Sequence, residues 1–216
     1  MLSFDPATLI ARLIVLAVSF TIHEFSHAWV ATRFGDDTPR LNGRLTLNPL
    51  AHLDPIGSLL LIVAGFGWAK PVPVDPYTLQ RRSPSALMWV SLAGPLSNFF
   101  MAILTAVPFR VGLVSVAGYL APSQGILPSA AKILAEFVQI NLLLMLFNLI
   151  PLAPLDGDKI ADYLLPPSWA RVFEKVRPYG MIILLLLVMV APYFGFDIIG
   201  WMIGPPLRAL FSLLVG

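Results

Sequence analysis

A chain of 216 residues with 57% hydrophobic and only 12% charged side chains, and a mean hydropathy of +0.81, is far more apolar than the roughly 45–50% of a soluble domain, and reads as a polytopic membrane protein. Its 14 Lys and Arg nearly balance its 12 Asp and Glu, so no basic surface points to nucleic acid. With no cysteine there is neither a disulfide framework nor a thiolate metal site, so any metal must be held by His, Asp or Glu.

At about 20 apolar residues per membrane span, helices are predicted at 7–33, 85–109, 127–152, 178–194 and 197–214, the last two separated by a turn at Gly195. The first apolar stretch follows Asp5 without a basic leader or a small-residue cleavage site, and so reads as a retained helix rather than a signal peptide. Apolar segments recur to the last residue, which implies one membrane domain over 1–216. Between the first two helices lies a stretch punctuated by Pro and Gly. Its apolar run IGSLLLIVAGFGW (56–68) is too short for a confident span and reads as re-entrant or interfacial, or as a short sixth helix. KPVPVDP (70–76) follows; its three prolines impose an extended backbone, an edge strand or loop. The expected fold is therefore all-α and polytopic, with five to six transmembrane helices and a re-entrant or β-like segment around 56–76.

Basic residues set the orientation. Arg33, Arg40, Arg44, Lys70, Arg81 and Arg82 fall in one connection, and Lys159, Arg171, Lys175 and Arg177 in another. The opposite connection, 110–126, offers only Arg110, with Lys132 just inside the next helix. The rich side is expected to be cytoplasmic, with the N-terminus outside. A crossing at 56–68 would break this pattern, which favours re-entry.

Within the first apolar helix stands TIHEFSHAWV (21–30), where ionisable residues cost on the order of a few kcal/mol each and usually mark function. His23-Glu24-x-x-His27 is an H-E-x-x-H pattern. On a helix, positions i and i+4 share a face, so the two imidazoles can grip one Zn²⁺ while Glu24 reaches the water at the open position and takes its proton. A catalytic zinc commonly has a third protein ligand. The candidates are His52, Asp54, Asp156 and Asp158. Depth allows Asp156, at the cytoplasmic end of the 127–152 helix, to meet the two histidines. His52 and Asp54 sit in a Pro-rich loop where capping or turn roles are common, and Asp158, followed by Lys159, is expected to be solvated.

Two motifs together, His23-Glu24-Phe25-Ser26-His27 and Asn148-x-x-Pro151-x-x-x-Leu155-Asp156-Gly157, resemble the site-2 protease family of intramembrane zinc metalloproteases. The second fits that family's N-x-x-P-x-x-x-L-D-G pattern. GWAKPVPV (67–74) and GPLSN (94–98) look like its extended segment and its central polar helix motif. The resemblance covers about residues 7–160. It implies His23, His27 and Asp156 as ligands of one Zn²⁺, Glu24 as general base and later acid, and Asn148 as a group that holds the substrate carbonyl or its oxyanion. Asn98 reads equally as a functional residue or as a hydrogen bond between helices near the close-packing Gly94. The extended segment can add a strand to an unwound substrate or plug the site, with substrate contact slightly favoured.

The expected activity is zinc-dependent hydrolysis of peptide bonds within or near transmembrane segments of membrane-protein substrates, in regulated intramembrane proteolysis. The expected location is the cell membrane, multi-pass, with the site toward the cytoplasmic leaflet. Expected partners are a transmembrane protein or peptide and the lipid bilayer, with no nucleic acid. The chain looks like a core-only member with neither a PDZ-like nor a nucleotide-sensing domain. The alternative is a zinc-binding membrane protein without hydrolytic activity, or a metal transporter.

Overall fold

The computed structural model describes residues 5–57, 60, 67–120 and 125–216. Asp5 opens the first helix, α1 (Pro6–Arg33): its carboxylate accepts from the Ala7 N–H and the Thr8 hydroxyl, and Pro6 takes the first helical position, where its missing N–H costs nothing. Gly35, at φ +86°, turns the chain away after it. Short helices that follow among the described residues include α2 (Thr38–Leu41) and α3 (Pro76–Arg82), the latter capped by the Asp75 carboxylate. Then come α4 (Ala86–Arg110), α5 (Val116–Leu120), α6 (Ala130–Asn148), α7 (Asp156–Leu164), α8 (Ser168–Phe194) and α9 (Ile198–Val215). Among the described residues five helices, α1, α4, α6, α8 and α9, are long and apolar enough to cross a membrane. The chain is an all-α multi-pass membrane protein.

Helix α4 is the hub, packed against α1, α6 and α7, with α9 against α6 and α4. The buried contacts are rich in small side chains, among them Ala11, Ala28, Ala31, Ala102, Ala106 and Ala135, which let backbones approach where the surroundings are as apolar as the core. Leu9, Leu13, Phe100, Leu104 and Ile182 point outward, as side chains facing lipid do. At one end of the bundle Lys132 pairs with Asp5, Arg12 Nε lies 3.1 Å from Glu136 Oε2, and Arg110 Nε donates to the Leu214 carbonyl at 2.9 Å. The starts of α1 and α6 and the ends of α4 and α9 therefore share that end.

The third long helix is shorter than the expected 127–152. It starts at Ala130 because the Ser129 hydroxyl caps it by accepting from the Lys132 N–H. It stops at Asn148 because Pro151 has no N–H to continue the ladder. Asp156 consequently does not extend this helix but begins a separate one, α7. The fourth helix begins at Ser168 rather than near 178, since Trp169, Val172 and Val176 against Arg171, Glu174 and Lys175 already carry a helical stripe ahead of Pro178.

Of the run 56–68, residues 58, 59 and 61–66 lie outside the described residues, and with them the expectation of re-entry. The following 67–75 is extended. Its pairing is one antiparallel bridge, Leu53 with Ala69, with the Lys70 N–H donating to the His52 carbonyl at 2.7 Å. Among the described residues no longer strand forms.

Candidate metal centre and active site

His23 and His27 lie one turn apart on the buried face of α1, as their i, i+4 spacing requires. Their Nε2 atoms stand 3.0 Å apart. The N-terminus of α7 brings Asp156 to the same point, with Oδ2 3.2 Å from His23 Nε2 and Oδ1 3.4 Å from His27 Nε2. Of the four candidates for a third ligand, Asp156 alone joins the pair among the described residues.

These three side chains fit a metal ion. Ligand bonds of about 2.0–2.2 Å in a tetrahedron set ligand atoms about 3.3–3.6 Å apart; the separations of 3.0, 3.2 and 3.4 Å reach or fall a little short of that range, so the donor atoms need part only slightly to take an ion. Asp156 Oδ2 is buried without a hydrogen-bond donor, a costly state for a carboxylate oxygen unless a cation answers it.

Helix α4 supports the centre from behind. The Val90 carbonyl lies 2.7 Å from His27 Nδ1, and Asn98 Oδ1 lies 2.6 Å from His23 Nδ1. Gly94 sits between these two contacts, and a Cβ on it would fall 2.4 Å from His27 Nε2 and 2.6 Å from His23 Nε2. A glycine here is a condition of the site. Asn98 thus serves as an interhelical hydrogen bond and touches a candidate ligand at the same time.

Glu24 is buried beside the pair, its Oε2 accepting from the Val72 N–H at 3.2 Å. It lines a cavity of about 500 Å³ together with His23, His27 and Asp156. Asn148 borders the same cavity; its Nδ2 donates to the Leu144 carbonyl at 3.0 Å. Phe20, Trp68, Val72, Leu144, Phe147 and Leu184 make the walls apolar. The extended segment therefore forms one side of the cavity.

The remaining candidates lie elsewhere. His52 is fully buried with Nε2 2.8 Å from the Thr46 carbonyl, and Asp54 Oδ1 accepts from the Gly57 N–H at 2.8 Å, so both hold turns. Asp158 is not solvated as expected. It is buried, accepts from Arg177 Nε at 2.9 Å and from Lys159 Nζ at 2.6 Å, and ties α7 to α8. An adjacent lysine reads as a sign of exposure, whereas the partner that buries Asp158 arrives 19 residues later.

The profile of Peptidase family M50 matches residues 11–116, which hold both histidines, Gly94 and Asn98. YwhC of Bacillus subtilis is 42% identical over 189 residues, 85% of this chain and 83% of the relative. The chain belongs to peptidase family M50, the site-2 proteases. Rip2 of Mycolicibacterium smegmatis is 33% identical over 80% of this M50 chain and 64% of its own, and Rip2 of Mycobacterium tuberculosis 30% identical over 86% and 70%. Each of these relatives carries a provisional name as a zinc metalloprotease. No solved structure matches the M50 chain.

Asn141 and Ser19, which continue the contacts of Asn98, and Arg12 with Glu136 at the far end belong to no motif in the sequence. A signal was there, since polar and charged residues inside apolar helices are costly and need partners.

Proposed function

We propose that this chain is an intramembrane zinc metalloendopeptidase that hydrolyses peptide bonds within or near transmembrane segments of other membrane proteins. What carries the reading is the convergence of His23, His27 and Asp156 donor atoms within 3.0–3.4 Å of one another in a cavity that also holds Glu24. His23 Nε2, His27 Nε2 and an Asp156 oxygen are the ligands in this proposal. Zinc at that point supplies Lewis acidity and lowers the pKa of water toward about 7.

The rest of the chemistry belongs to the chain's own groups. Glu24 takes the proton from the attacking water as its oxygen bonds to the scissile carbonyl carbon, then delivers it to the amide nitrogen as the C–N bond breaks. The Val72 N–H occupies one Glu24 oxygen and leaves the other for this transfer. Asn148 has a second amide N–H beyond the one given to Leu144, and it donates to the carbonyl oxygen as negative charge grows there. The apolar walls suit a membrane segment, but a helical peptide bond is shielded by its own hydrogen bonds, so the substrate must enter locally unwound. The extended segment at 67–74, where Pro71 and Pro73 cannot donate, supports such a substrate through its carbonyls.

We place the protein in the cell membrane with the site toward the cytoplasmic leaflet, because the loops nearest the cavity carry most of the Lys and Arg. Regulated proteolysis of a single-span membrane protein is the expected role. Purified protein and a panel of single-span substrates, read by mass, test it. Glu24→Gln is expected to keep bound zinc and lose cleavage, by about 10³-fold or more on the scale of an essential proton-transfer group. Full activity in that variant, or cleavage indifferent to a zinc chelator, overturns the reading; metal flux without cleavage would instead support a transporter.

A further inference from the structure

Behind the metal centre three helices are joined by a chain of buried amides. Asn98 of α4 and Asn141 of α6 are both fully buried. Asn98 Nδ2 donates to Asn141 Oδ1 at 2.8 Å, and Asn141 Nδ2 donates to the Ser19 hydroxyl of α1 and to the Phe137 carbonyl, both at 2.9 Å. Burying two carboxamides among apolar helices is costly unless their hydrogen bonds are made, and their orientation is then dictated by what each faces.

That orientation can be followed link by link. The Phe137 carbonyl only accepts, so Asn141 must turn its NH₂ toward it and its oxygen toward Asn98. Facing an oxygen that only accepts, Asn98 must present its own NH₂, which leaves Asn98 Oδ1 against His23 Nδ1 at 2.6 Å. An acceptor there requires a proton on Nδ1, and in the neutral imidazole the lone pair then lies on Nε2, the atom that faces His27 and Asp156. His27 reaches the same state in one step, from the Val90 carbonyl.

We infer that Asn98 and Asn141 are positioning residues which, through a relay anchored on the Phe137 backbone carbonyl, fix the tautomer and ring orientation of His23 for metal binding. The inference rests on the proposed metal centre, but not on hydrolysis. Asn141 touches neither histidine, yet its loss frees Asn98 to rotate and offer its NH₂ to His23 Nδ1, which favours the wrong tautomer. Ligand-orienting partners of this kind typically change metal affinity about 10–100-fold.

The test uses zinc itself, titrated into detergent-purified full-length protein against a competing chelator. Asn141→Ala is expected to weaken zinc binding by about 10–100-fold. Adding Asn98→Asp to that variant restores an acceptor that cannot flip and no longer opposes the Asn141 oxygen, so the double variant recovers to within about 3-fold of wild type. A merely structural role would not be rescued by a second buried substitution. Asn141→Ala binding zinc as tightly as wild type, or a double variant no tighter than Asn141→Ala, overturns the relay. If the variants do not fold, ¹⁵N-imidazole spectra of metal-free wild type, at a pH where His23 is neutral, decide: His23 protonated at Nδ1 supports the relay, and protonated at Nε2 alone overturns it. Zinc binding that follows the relay in a chain that cleaves nothing would sink the protease reading and leave this one standing.

Discussion

Gly94→Ala puts a single methyl where the proposed metal centre has no room. The added Cβ would lie 2.4 Å from His27 Nε2, 2.5 Å from His23 Cε1 and 2.6 Å from His23 Nε2, all ring atoms rather than the ends of flexible chains. Ordinary contact begins near 3.4 Å, so the nearest ring must retreat by about 1 Å. The retreat separates donor atoms that now stand 3.0–3.4 Å apart, and both rings are tethered from behind by Val90 and Asn98. A 1 Å misplacement costs about 10²-fold in a positioned reaction, and the zinc should loosen with it. Helix propensity argues the other way, since alanine is worth about 1 kcal/mol more than glycine inside a helix. The variant is therefore expected to fold and melt near wild type while losing zinc and cleavage together. Zinc content by mass spectrometry, a thermal melt in detergent and cleavage of a single-span substrate measure the three quantities. Full zinc occupancy with cleavage within about 3-fold of wild type would refute the steric account of why a glycine stands there.

Two further outcomes follow from the supports around the site. Arg177→Leu strips Asp158 of its guanidinium and leaves a buried carboxylate to Lys159 alone. Breaking a buried pair costs about 3–5 kcal/mol, and with Arg177 partly exposed and Lys159 remaining about 1–3 kcal/mol is expected. Asp158→Asn should cost less, and the reverse order in thermal melts would contradict the buried-charge reading. Asp75→Ala removes the cap of α3. The Thr78 hydroxyl and the backbone N–H groups of Tyr77 and Thr78 hold the Asp75 carboxyl below its ordinary value. A depressed folded pKa stabilises above the unfolded value and loses that contribution as pH falls through the folded one. The melting difference between wild type and Asp75→Ala is thus expected to be full near neutrality and to shrink in acid, and a gap that widens in acid would contradict it.

Much of the site was legible because its parts are local. The spacing of His23 and His27 is a property of one helix, and the five long helices follow from the length and composition of apolar runs. The motif and the depth of Asp156 point to its neighbourhood with the histidines, which the structure shows, but not to the helix that carries it. Pro151 breaks the chain there, and a new helix begins at Asp156 itself. The burial of Asp158 is not legible locally because it depends on Arg177 in another helix.

By itself, then, the amino-acid order determined that the chain is a multi-pass helical membrane protein, which residue types could meet a metal, and the family they belong to. Those properties depend on local periodicity and on the cost of charge in lipid, both of which act over a few turns. Tertiary structure decided which acidic residue joins the histidines, that Gly94 must have no side chain, and that amides of α4 and α6 stand behind His23. Such facts depend on distances between helices tens of residues apart, and packing sets those distances.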